Sequence, residues 1–429
     1  MPDSPARLLV SGDLHLGRYP SRVPPGLPEL GGEAACRALV EAALAHRADA
    51  LVLTGDVADA ANKHFEAFGV LERALRRLDA AGVETLMVAG NHDHDVLAAL
   101  ADALASPRVR LLGRGQRWEA HTLYRDGRPL ARVCGWSFAA QHVRDNPLDG
   151  FPDLPDDLPA VALLHADLDA PGSPYAPVAL GALWNTPVCA WLLGHIHAPR
   201  LERQGARLAL YPGSPLPLDP GETGPHGPWL VTLDRAGRAE AEPLALAPLR
   251  YATADVDVDG ADAPEELRAR VLAAVRAFAD AARAEQPALR HLVLRLRLTG
   301  RTAAFGHLDH LEAELADGDA LSRDGLAVYP DGVLRQAAPA LDLEALADGS
   351  GPLATLAALA LRLESGTLTP ADEALVARTA EAVRDTRRHR AFEPLTREGR
   401  LEGDLRPEAL ARLRRQVLRM LDATAAQRA

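Results

Sequence analysis

The chain has 429 residues, enough for two or three domains, and 48% of them are hydrophobic, which supplies a sizeable core. Its net charge of -12 argues against strong autonomous binding to nucleic acid and favours a divalent metal or a partner protein that offsets phosphate repulsion. Cys36, Cys134 and Cys189 lie far apart, so neither a disulfide framework nor a zinc knuckle is supported. Without a signal pattern, or an apolar run of the ~18 residues that span a membrane, we expect a cytoplasmic protein.

The first hundred residues predict strands that alternate with helices. In chain order these elements lie at residues 7–11, 33–46, 50–54, 64–81, 85–89 and 96–105. Alternation of this kind predicts parallel strands with helices packed on the sheet.

The next segment predicts strands without long helices. Two alternating stretches, 116–124 and 130–137, flank the turn signal Asp126-Gly127 and predict a β-hairpin. Further strands are predicted at 161–164, at 188–193, before Tyr211, and at 229–233 as the last strand of this domain. Together with the first segment, they predict an α/β fold with a sheet sandwich flanked by helices.

The composition changes near Arg250. We therefore predict a first domain at 1–250, a small α/β domain at 251–340 with a helix at 264–284 and a strand at 292–298, and a helical region at 341–429. Helices at 352–364, 370–390 and 407–423 each start at a proline, which suits the first helical turn.

The last predicted helix has two different faces. Its apolar stripe consists of Leu410, Leu413, Val417 and Leu421, and its other face carries Arg412, Arg414, Arg415 and Arg419. Packing on the neighbouring domain and binding of a partner both remain open. A second basic cluster contains Arg384, Arg387, Arg388 and Arg390. A solvated helix face is the default interpretation, and contact with DNA or an acidic partner is the alternative.

Polar residues follow five predicted strands. The ligand-type members are Asp13, His15, Asp56, Asn91, His165, His195 and His197. A mixed set of carboxylate, amide and imidazole groups suits manganese, iron or zinc. It suffices for two metal ions if one carboxylate bridges them, and Asp56 would be that bridge because its strand is central.

These clusters carry a resemblance. The motifs Asp-x-His, Gly-Asp-x-x-Asp, Gly-Asn-His-Asp, a lone His after a strand, and Gly-His-x-His stand here in the order found in the calcineurin-like metallophosphoesterases. The resemblance implies a sandwich of two mixed β-sheets flanked by helices. It implies one metal ion held by Asp13, His15, Asp56 and His197, and a second held by Asp56, Asn91, His165 and His195. It also implies a catalytic role for His92, which Asp93 would orient.

The segments 13–17, 191–197 and 211–214 resemble the SbcD-like DNA repair exonucleases, and the helical tail is similar to their shorter YhaO-type branch. This implies a DNA exonuclease or endonuclease of repair or recombination with two divalent metal ions, most often Mn²⁺. It further implies a capping domain at 251–340, a homodimer, and an SMC-like ABC ATPase partner (SbcC-like) bound by the helical region. Asp59 and Ala166-Asp167 depart from the commoner pattern, with consequences for cleavage mode and substrate groove.

Two other functions stay open: a phosphodiesterase or phosphatase for nucleotides or other small substrates, and a non-enzymatic scaffold for an ATPase. The remaining polar residues carry weaker expectations. Arg18, Tyr19 and Arg22 are expected in a solvated loop, with phosphate contact as the alternative. We expect surface or loop positions for His64, His94, His121, His142 and His226.

Overall fold

The computed structural model describes residues 4–59, 65–315, 321–322, 324–388 and 404–426. Contacts divide the chain into two compact units. The first unit comprises Met1–Ala252, Ala279–Leu294 and Ser322–Tyr329, and the second comprises Thr253–Phe278, Arg295–Leu321 and Pro330–Ala429.

The first unit contains twelve described strands. In chain order they are β1 (Ala6–Ser11), β2 (Ala50–Leu53), β3 (Glu84–Met87), β4 (Val109–Leu111), β5 (Glu119–Arg125), β6 (Arg128–Trp136), β7 (Ala160–His165), β8 (Ala190–Gly194), β9 (Arg200–Gln204), β10 (Arg207–Tyr211), β11 (Trp229–Leu233) and β12 (Ala239–Pro243). Its helices are α1 (Gly32–Ala45), α2 (Phe65–Ala80), α3 (Leu97–Leu104) and the short α4 (Leu180–Leu183).

These strands form two six-stranded mixed sheets. The first has the order β12-β11-β1-β2-β3-β4, in which β1 to β4 are parallel and β11 is antiparallel to β1 and β12. The second has the order β5-β6-β7-β8-β10-β9, with a parallel centre and antiparallel edges. The predicted sandwich of two mixed sheets is thus confirmed.

Apolar side chains explain why the sheets pack. One core joins residues of both sheets, such as Leu8 and Val52 with Val161 and Leu192. A second core lies between the first sheet and helices α1 to α3. Full burial of one such side chain contributes about 1.5–3 kcal/mol. Because both faces of the central part of the first sheet are covered, its strands β1, β2 and β3 are mostly apolar and their polar residues lie at or near the ends.

Two sequence expectations concern the hairpin and the end of this unit. The hairpin prediction is confirmed: β5 and β6 pair across a turn in which Asp126 (φ 52°) and Gly127 (φ 76°) adopt left-handed backbone. The prediction that 229–233 is the last strand is wrong. β12 follows and pairs antiparallel with β11. Only its first residue, Ala239, is buried, and the other four are half-buried or exposed.

Beyond residue 248, β13 (Leu249–Asp257), β14 (His291–Thr299) and β16 (Ala327–Arg335) form a three-stranded sheet, and the short β15 (Arg301–Thr302) and β17 (Ala338–Pro339) pair in parallel. The described helices of this part are α5 (Pro264–Glu285), α6 (Leu308–Leu315), α7 (Leu343–Ala347), α8 (Pro352–Ser365), α9 (Pro370–Arg387) and α10 (Arg406–Ala426). No helix in the described ranges is long and apolar enough to cross a membrane.

The apolar stripe of the last helix packs within the second unit. Helix α10 contacts α8 and α9, and its Leu413, Val417 and Leu421 are buried, whereas Leu410 is half-buried. Of the two interpretations left open, internal packing therefore accounts for the stripe. Helix α9 reaches Arg387, and Arg390 of the second basic cluster lies outside the described residues.

Candidate metal centre

Sharp turns place the polar residues at the strand ends. Asp13, His15 and Asp56 have φ angles of 49°, 43° and 49°, a left-handed conformation that side-chain-bearing residues rarely adopt. The turns after β1 and β2 hold each other, because the amide groups of Asp13 and His15 donate to the carbonyl oxygens of Gly55 and Asp56, both at 3.0 Å. Backbone strain of this kind concentrates at functional sites.

Two glycines let the strand ends approach closely. A Cβ on Gly90 would stand 2.1 Å from Asp56 Oδ1, and one on Gly194 would stand 2.0 Å from the carbonyl oxygen of Thr54. Any larger residue would push these turns apart. The glycines of Gly-Asn-His-Asp and Gly-His-x-His are therefore steric requirements of the centre.

The first group of converging donors consists of Asp13, His15 and His197, whose ligand atoms all lie within 4.8 Å of one another. The Nε2 atoms of His15 and His197 are 3.0 Å apart. Asp56 Oδ2 lies 3.9 Å from His15 Nε2, so this carboxylate borders the group.

The second group consists of Asp13, Asp56 and His165. His165 Nε2 lies 3.5 Å from Asp56 Oδ2 and 3.1 Å from Asn91 Oδ1. His165 Nδ1 donates a hydrogen bond to the carbonyl oxygen of Thr54 at 3.0 Å. In the neutral ring, Nε2 is then the atom that can bind a metal ion at the centre. Burial alone would lower the pKa of His165, but Asp56 and Asp13 raise it to about 9.

His195 lies beside these groups. Its amide donates to Asp13 Oδ1 at 3.0 Å, and its ring centroid is 5.3 Å from that of His165 and 4.7 Å from that of Tyr175. Its Nε2 is 3.9 Å from Asp167 Oδ2. Burial and then His165 lower the pKa of His195 to about 3. Thus six of the seven predicted ligands converge, and His195 stands next to them without joining either group.

The donors fit divalent metal ions. Asp13 and Asp56 are buried, and neither pairs with a lysine or arginine among the described residues. Burying carboxylates without a compensating positive charge is costly. The two donor groups share Asp13, and Asp56 belongs to one of them and borders the other. Built from oxygen and imidazole ligands, they can hold two such ions.

His92 has a partly accessible imidazole at this centre, with 33% of its side chain exposed. Its amide donates to Asp56 Oδ1 at 2.9 Å, and its ring meets that of His15 edge-on at a centroid distance of 4.8 Å. Burial lowers the pKa of His92. The negative charge of Asp56 acts to raise it and the positive charge of His15 acts to lower it, and the net shift is downward. His92 also falls within 4.8 Å donor distance of His15 and Asp56, so it reaches the same space as the ligands.

The position of Asp93 differs from the sequence expectation. Its buried carboxylate accepts from the amide groups of Gly90 at 2.8 Å and Val57 at 2.6 Å, so it ties two strand-end turns together. Two other carboxylates lie near the His92 ring: Asp59 Oδ1 is 3.6 Å from Nδ1, and Asp56 Oδ2 is 4.0 Å from Nε2. Asp59 Oδ1 is also 3.4 Å from His15 Nδ1, so it lies between the two rings. Burial and the neighbouring Asp56 raise the pKa of Asp93 to about 7. Geometry therefore favours Asp59 over Asp93 as the residue that orients His92.

Glu222 is a residue of the centre that the sequence analysis missed. Its Oε1 accepts from His197 Nδ1 at 2.9 Å, and its Oε2 accepts from the Ser214 hydroxyl at 2.7 Å and the Leu218 amide at 3.0 Å. The carboxylate thus selects the His197 tautomer whose Nε2 is free for a metal ion. The available signal was an acidic residue shortly after the Tyr-Pro-Gly-Ser turn, which has no regular spacing to the other motifs.

Several weaker expectations can be compared with the structure. His226 lies in a loop, one of the two positions expected for it, but it is buried, and its Nδ1 donates to the carbonyl oxygen of Ser214 at 2.7 Å. His121 is half-buried and pairs with Glu84 at 2.7 Å. Arg18 pairs with Asp219 at 3.1 Å, and His64 lies outside the described residues.

The fold and this donor geometry are typical of a metallophosphoesterase domain. Residues 6–199 match the family model of the calcineurin-like phosphoesterases, and residues 251–325 match that of the middle domain of the metallophosphoesterase YhaO. The first match includes all seven predicted ligands. The chain thus carries a calcineurin-like metallophosphoesterase domain with a candidate two-metal site.

Two curated relatives are similar over part of their length. The chain is 27% identical over 200 residues to an uncharacterized metallophosphoesterase, YhaO of Bacillus subtilis, covering 46% of this chain and 48% of the relative. It is 28% identical over 249 residues to the DNA double-strand break repair protein Mre11 of Methanopyrus kandleri, covering 52% and 53%. The chain thus spans about half the length of each relative.

Among solved structures, TT1561 of Thermus thermophilus is 18% identical, covers 56% of this chain and 99% of its own, and has a TM-score of 0.35. Similarity at that level supports no further argument.

Proposed function

We propose that this chain is a Mn²⁺-dependent phosphodiesterase that cleaves DNA as an exonuclease or endonuclease in repair or recombination. The observation that carries the hydrolytic part is the pair of donor groups around Asp13 and Asp56, with the accessible His92 beside them. The DNA part is supported by the Mre11 relative and by the segments 13–17, 191–197 and 211–214.

The residues of the chain have separate tasks in this proposal. Bound divalent ions supply positive charge that activates water and offsets the charge of the phosphodiester. His92 faces the same space and donates a proton to, or stabilises charge on, the leaving oxygen. Asp59 holds the His92 ring, and Asp93 holds the turn from which His92 projects. Asn91 and His165 complete the donor group on the side of β7.

The proposal includes two protein partners, an SMC-like ABC ATPase and a second copy of this chain. The second unit carries most of the match to the YhaO middle domain and the helices α8 to α10, and its residues from 341 onward are the proposed contact for an SMC-like ABC ATPase. A homodimer is part of the same proposal. Coexpression with a candidate ATPase followed by light scattering of the purified complex tests both, since each assembly has a distinct mass.

A hydrolysis assay tests the substrate. Protein stripped with EDTA and reloaded with Mn²⁺ is given end-labelled linear duplex DNA and, separately, bis(4-nitrophenyl) phosphate. We expect cleavage of both by the wild type, and loss of both in His92→Ala. The matched control is His310→Ala, because the side chain of His310 is 77% exposed and lies on α6, outside the centre.

The alternatives predict different results in this assay. Cleavage of the small diester with intact DNA would favour the phosphodiesterase or phosphatase for small substrates. Binding of two Mn²⁺ ions without hydrolysis of any phosphoester would favour a non-enzymatic scaffold. Activity in His92→Ala equal to that of His310→Ala would contradict the role given to His92.

A further inference from the structure

The second unit contains a cleft of about 460 Å³ with an unusual concentration of arginine. The cleft lies between α6, β16 and α10, and its lining residues are Glu312, Val333, Arg335, Arg412, Arg415, Gln416 and Arg419. The arginines from α10 are spaced three or four residues apart, so they share one face of that helix. This local positive charge contrasts with the net charge of -12 of the whole chain.

The arginines of the cleft are only partly neutralised. Arg335 binds Asp309 and Glu312, and Arg419 binds Asp309 at 2.8 Å. Arg412 and Arg415 are exposed, and their side chains form no hydrogen bond or ion pair with other residues in the described ranges. The guanidinium groups of Arg412 and Arg415 are thus available to bind a ligand. They lie beside Arg335 and Arg419, which Asp309 and Glu312 hold in place.

We propose that this cleft binds the phosphate groups of a nucleic-acid strand without reading its sequence. Guanidinium groups bind phosphate oxygens through paired N–H donors, and Arg412 and Arg415 offer such donors from adjacent turns of one helix. The volume accommodates a phosphate with part of its sugar. Arg335 is paired with Asp309 and Glu312, so the net positive charge of the cleft comes from Arg412 and Arg415.

The lining chemistry selects this occupant over others. Among the described lining residues there is no aromatic ring on which a base could stack, so contacts are restricted to the backbone. An acidic peptide helix would require apolar anchors, and Val333 is the single apolar residue among the described lining residues. A phosphodiester backbone needs neither feature.

This inference rests on the proposed DNA substrate, for which it supplies a contact, but it can be tested without hydrolysis. Fluorescence anisotropy measures binding of a labelled oligo(dT) strand to the full chain in EDTA, at several salt concentrations. Hydrolysis by the Mn²⁺-loaded wild type reports separately on the proposed function. A chain that hydrolyses DNA yet shows no cleft-dependent binding refutes only the role of the cleft.

The decisive variant is Arg412→Ala/Arg415→Ala, whose side chains are exposed and whose removal leaves the core intact. We expect the dissociation constant to rise about tenfold or more. We also expect the negative slope of the logarithm of the association constant against the logarithm of salt concentration to become shallower by about 1.4, since each phosphate contact on a single strand contributes about 0.7. The matched control is Arg378→Ala/Arg384→Ala, which removes the same charge from exposed positions of α9.

Three results would overturn the inference. Equal weakening in both double variants would show general attraction instead of a site. Unchanged binding in the cleft variant would exclude the cleft. Cleft-dependent binding of a labelled poly-glutamate peptide, with no binding of oligo(dT), would identify an acidic protein segment as the occupant. Thermal unfolding of each variant confirms that the comparison is made between folded proteins.

Discussion

The metal centre of the first unit and the arginine cleft of the second handle charge in opposite ways. In the centre, the carboxylates are buried, the imidazoles are buried or half-buried, and these groups contact one another, so each position depends on several others. In the cleft, Arg412 and Arg415 extend from an exposed helix face, and their backbone is held by apolar packing on the other side. Buried charge is tolerated only with a partner or an ion, whereas exposed charge needs neither. Changes in the centre should therefore affect ions and chemistry, and changes around the cleft should affect binding or stability alone.

The largest effect is expected from His92, and a comparison with its neighbour Asn91 makes it specific. His92→Ala should lower the rate of phosphodiester hydrolysis by about 10²- to 10⁴-fold with both ions still bound, since proton transfer contributes about that factor. Asn91→Ala should instead weaken binding of one ion, because Asn91 Oδ1 stands beside His165 Nε2. Calorimetric titration with Mn²⁺ alongside the hydrolysis assay separates the two. Loss of an ion in His92→Ala would make His92 a ligand, as its distance to His15 and Asp56 also permits.

The second effect concerns stability in the helical part. Leu421 of α10 is fully buried, so Leu421→Ala should lower the free energy of unfolding by about 2–5 kcal/mol through lost contacts and a cavity. Adjacent Met420 is 49% exposed, and Met420→Ala should change it by at most about 0.5 kcal/mol. Urea denaturation measures both. Equal effects would contradict the internal packing of the apolar stripe, and altered Mn²⁺ affinity in Leu421→Ala would contradict the separation of the two regions.

Glu222 provides a smaller effect within the centre. Glu222→Ala should weaken binding of the ion next to His197 by about 10- to 100-fold, because the imidazole loses the carboxylate that sets its tautomer. Glu222→Gln should weaken it less, since the amide oxygen can still accept from Nδ1. Mn²⁺ titration gives the affinities, and exposed Glu242→Ala serves as the matched control. If both ions were weakened equally, Glu222 would act by supporting the loop as a whole.

The smallest effect is expected at the start of α9. Thr369 and Asp372 form a reciprocal capping box, in which the Thr369 hydroxyl accepts from the Asp372 amide at 3.3 Å and the Thr369 amide donates to Asp372 Oδ2 at 2.9 Å. Thr369→Ala should lower stability by about 1 kcal/mol. Thr369→Ser should retain most of it, because a hydroxyl is kept. Thermal unfolding of the two variants checks this, and equal losses would assign the effect to the methyl group.

Much of the fold can be predicted from the sequence because buried strands and helices leave regular patterns of apolar residues in it. Strands covered on both faces are mostly apolar, and a polar cluster begins at or shortly after the end of each of the first three. Strand β12 was missed because it is an edge strand with little burial, so its sequence Ala-Glu-Ala-Glu-Pro lacks an apolar signal. The buried position of His226 was missed for the converse reason: it lies in an irregular loop where no period marks burial.

The sequence by itself predicted six of the residues that converge at the candidate metal centre, because residues at the carboxyl ends of adjacent strands have little choice of position once the sheet forms. Only the tertiary structure decided which contacts each of these residues makes. It turned Asp93 towards the amide groups of Gly90 and Val57, placed Asp59 beside His92, set His195 next to the donor groups, and brought Glu222 to His197. These contacts depend on loop paths and side-chain rotamers, which no local period encodes. The arginine cleft has the same origin, since its residues belong to three elements that become neighbours only in the folded chain.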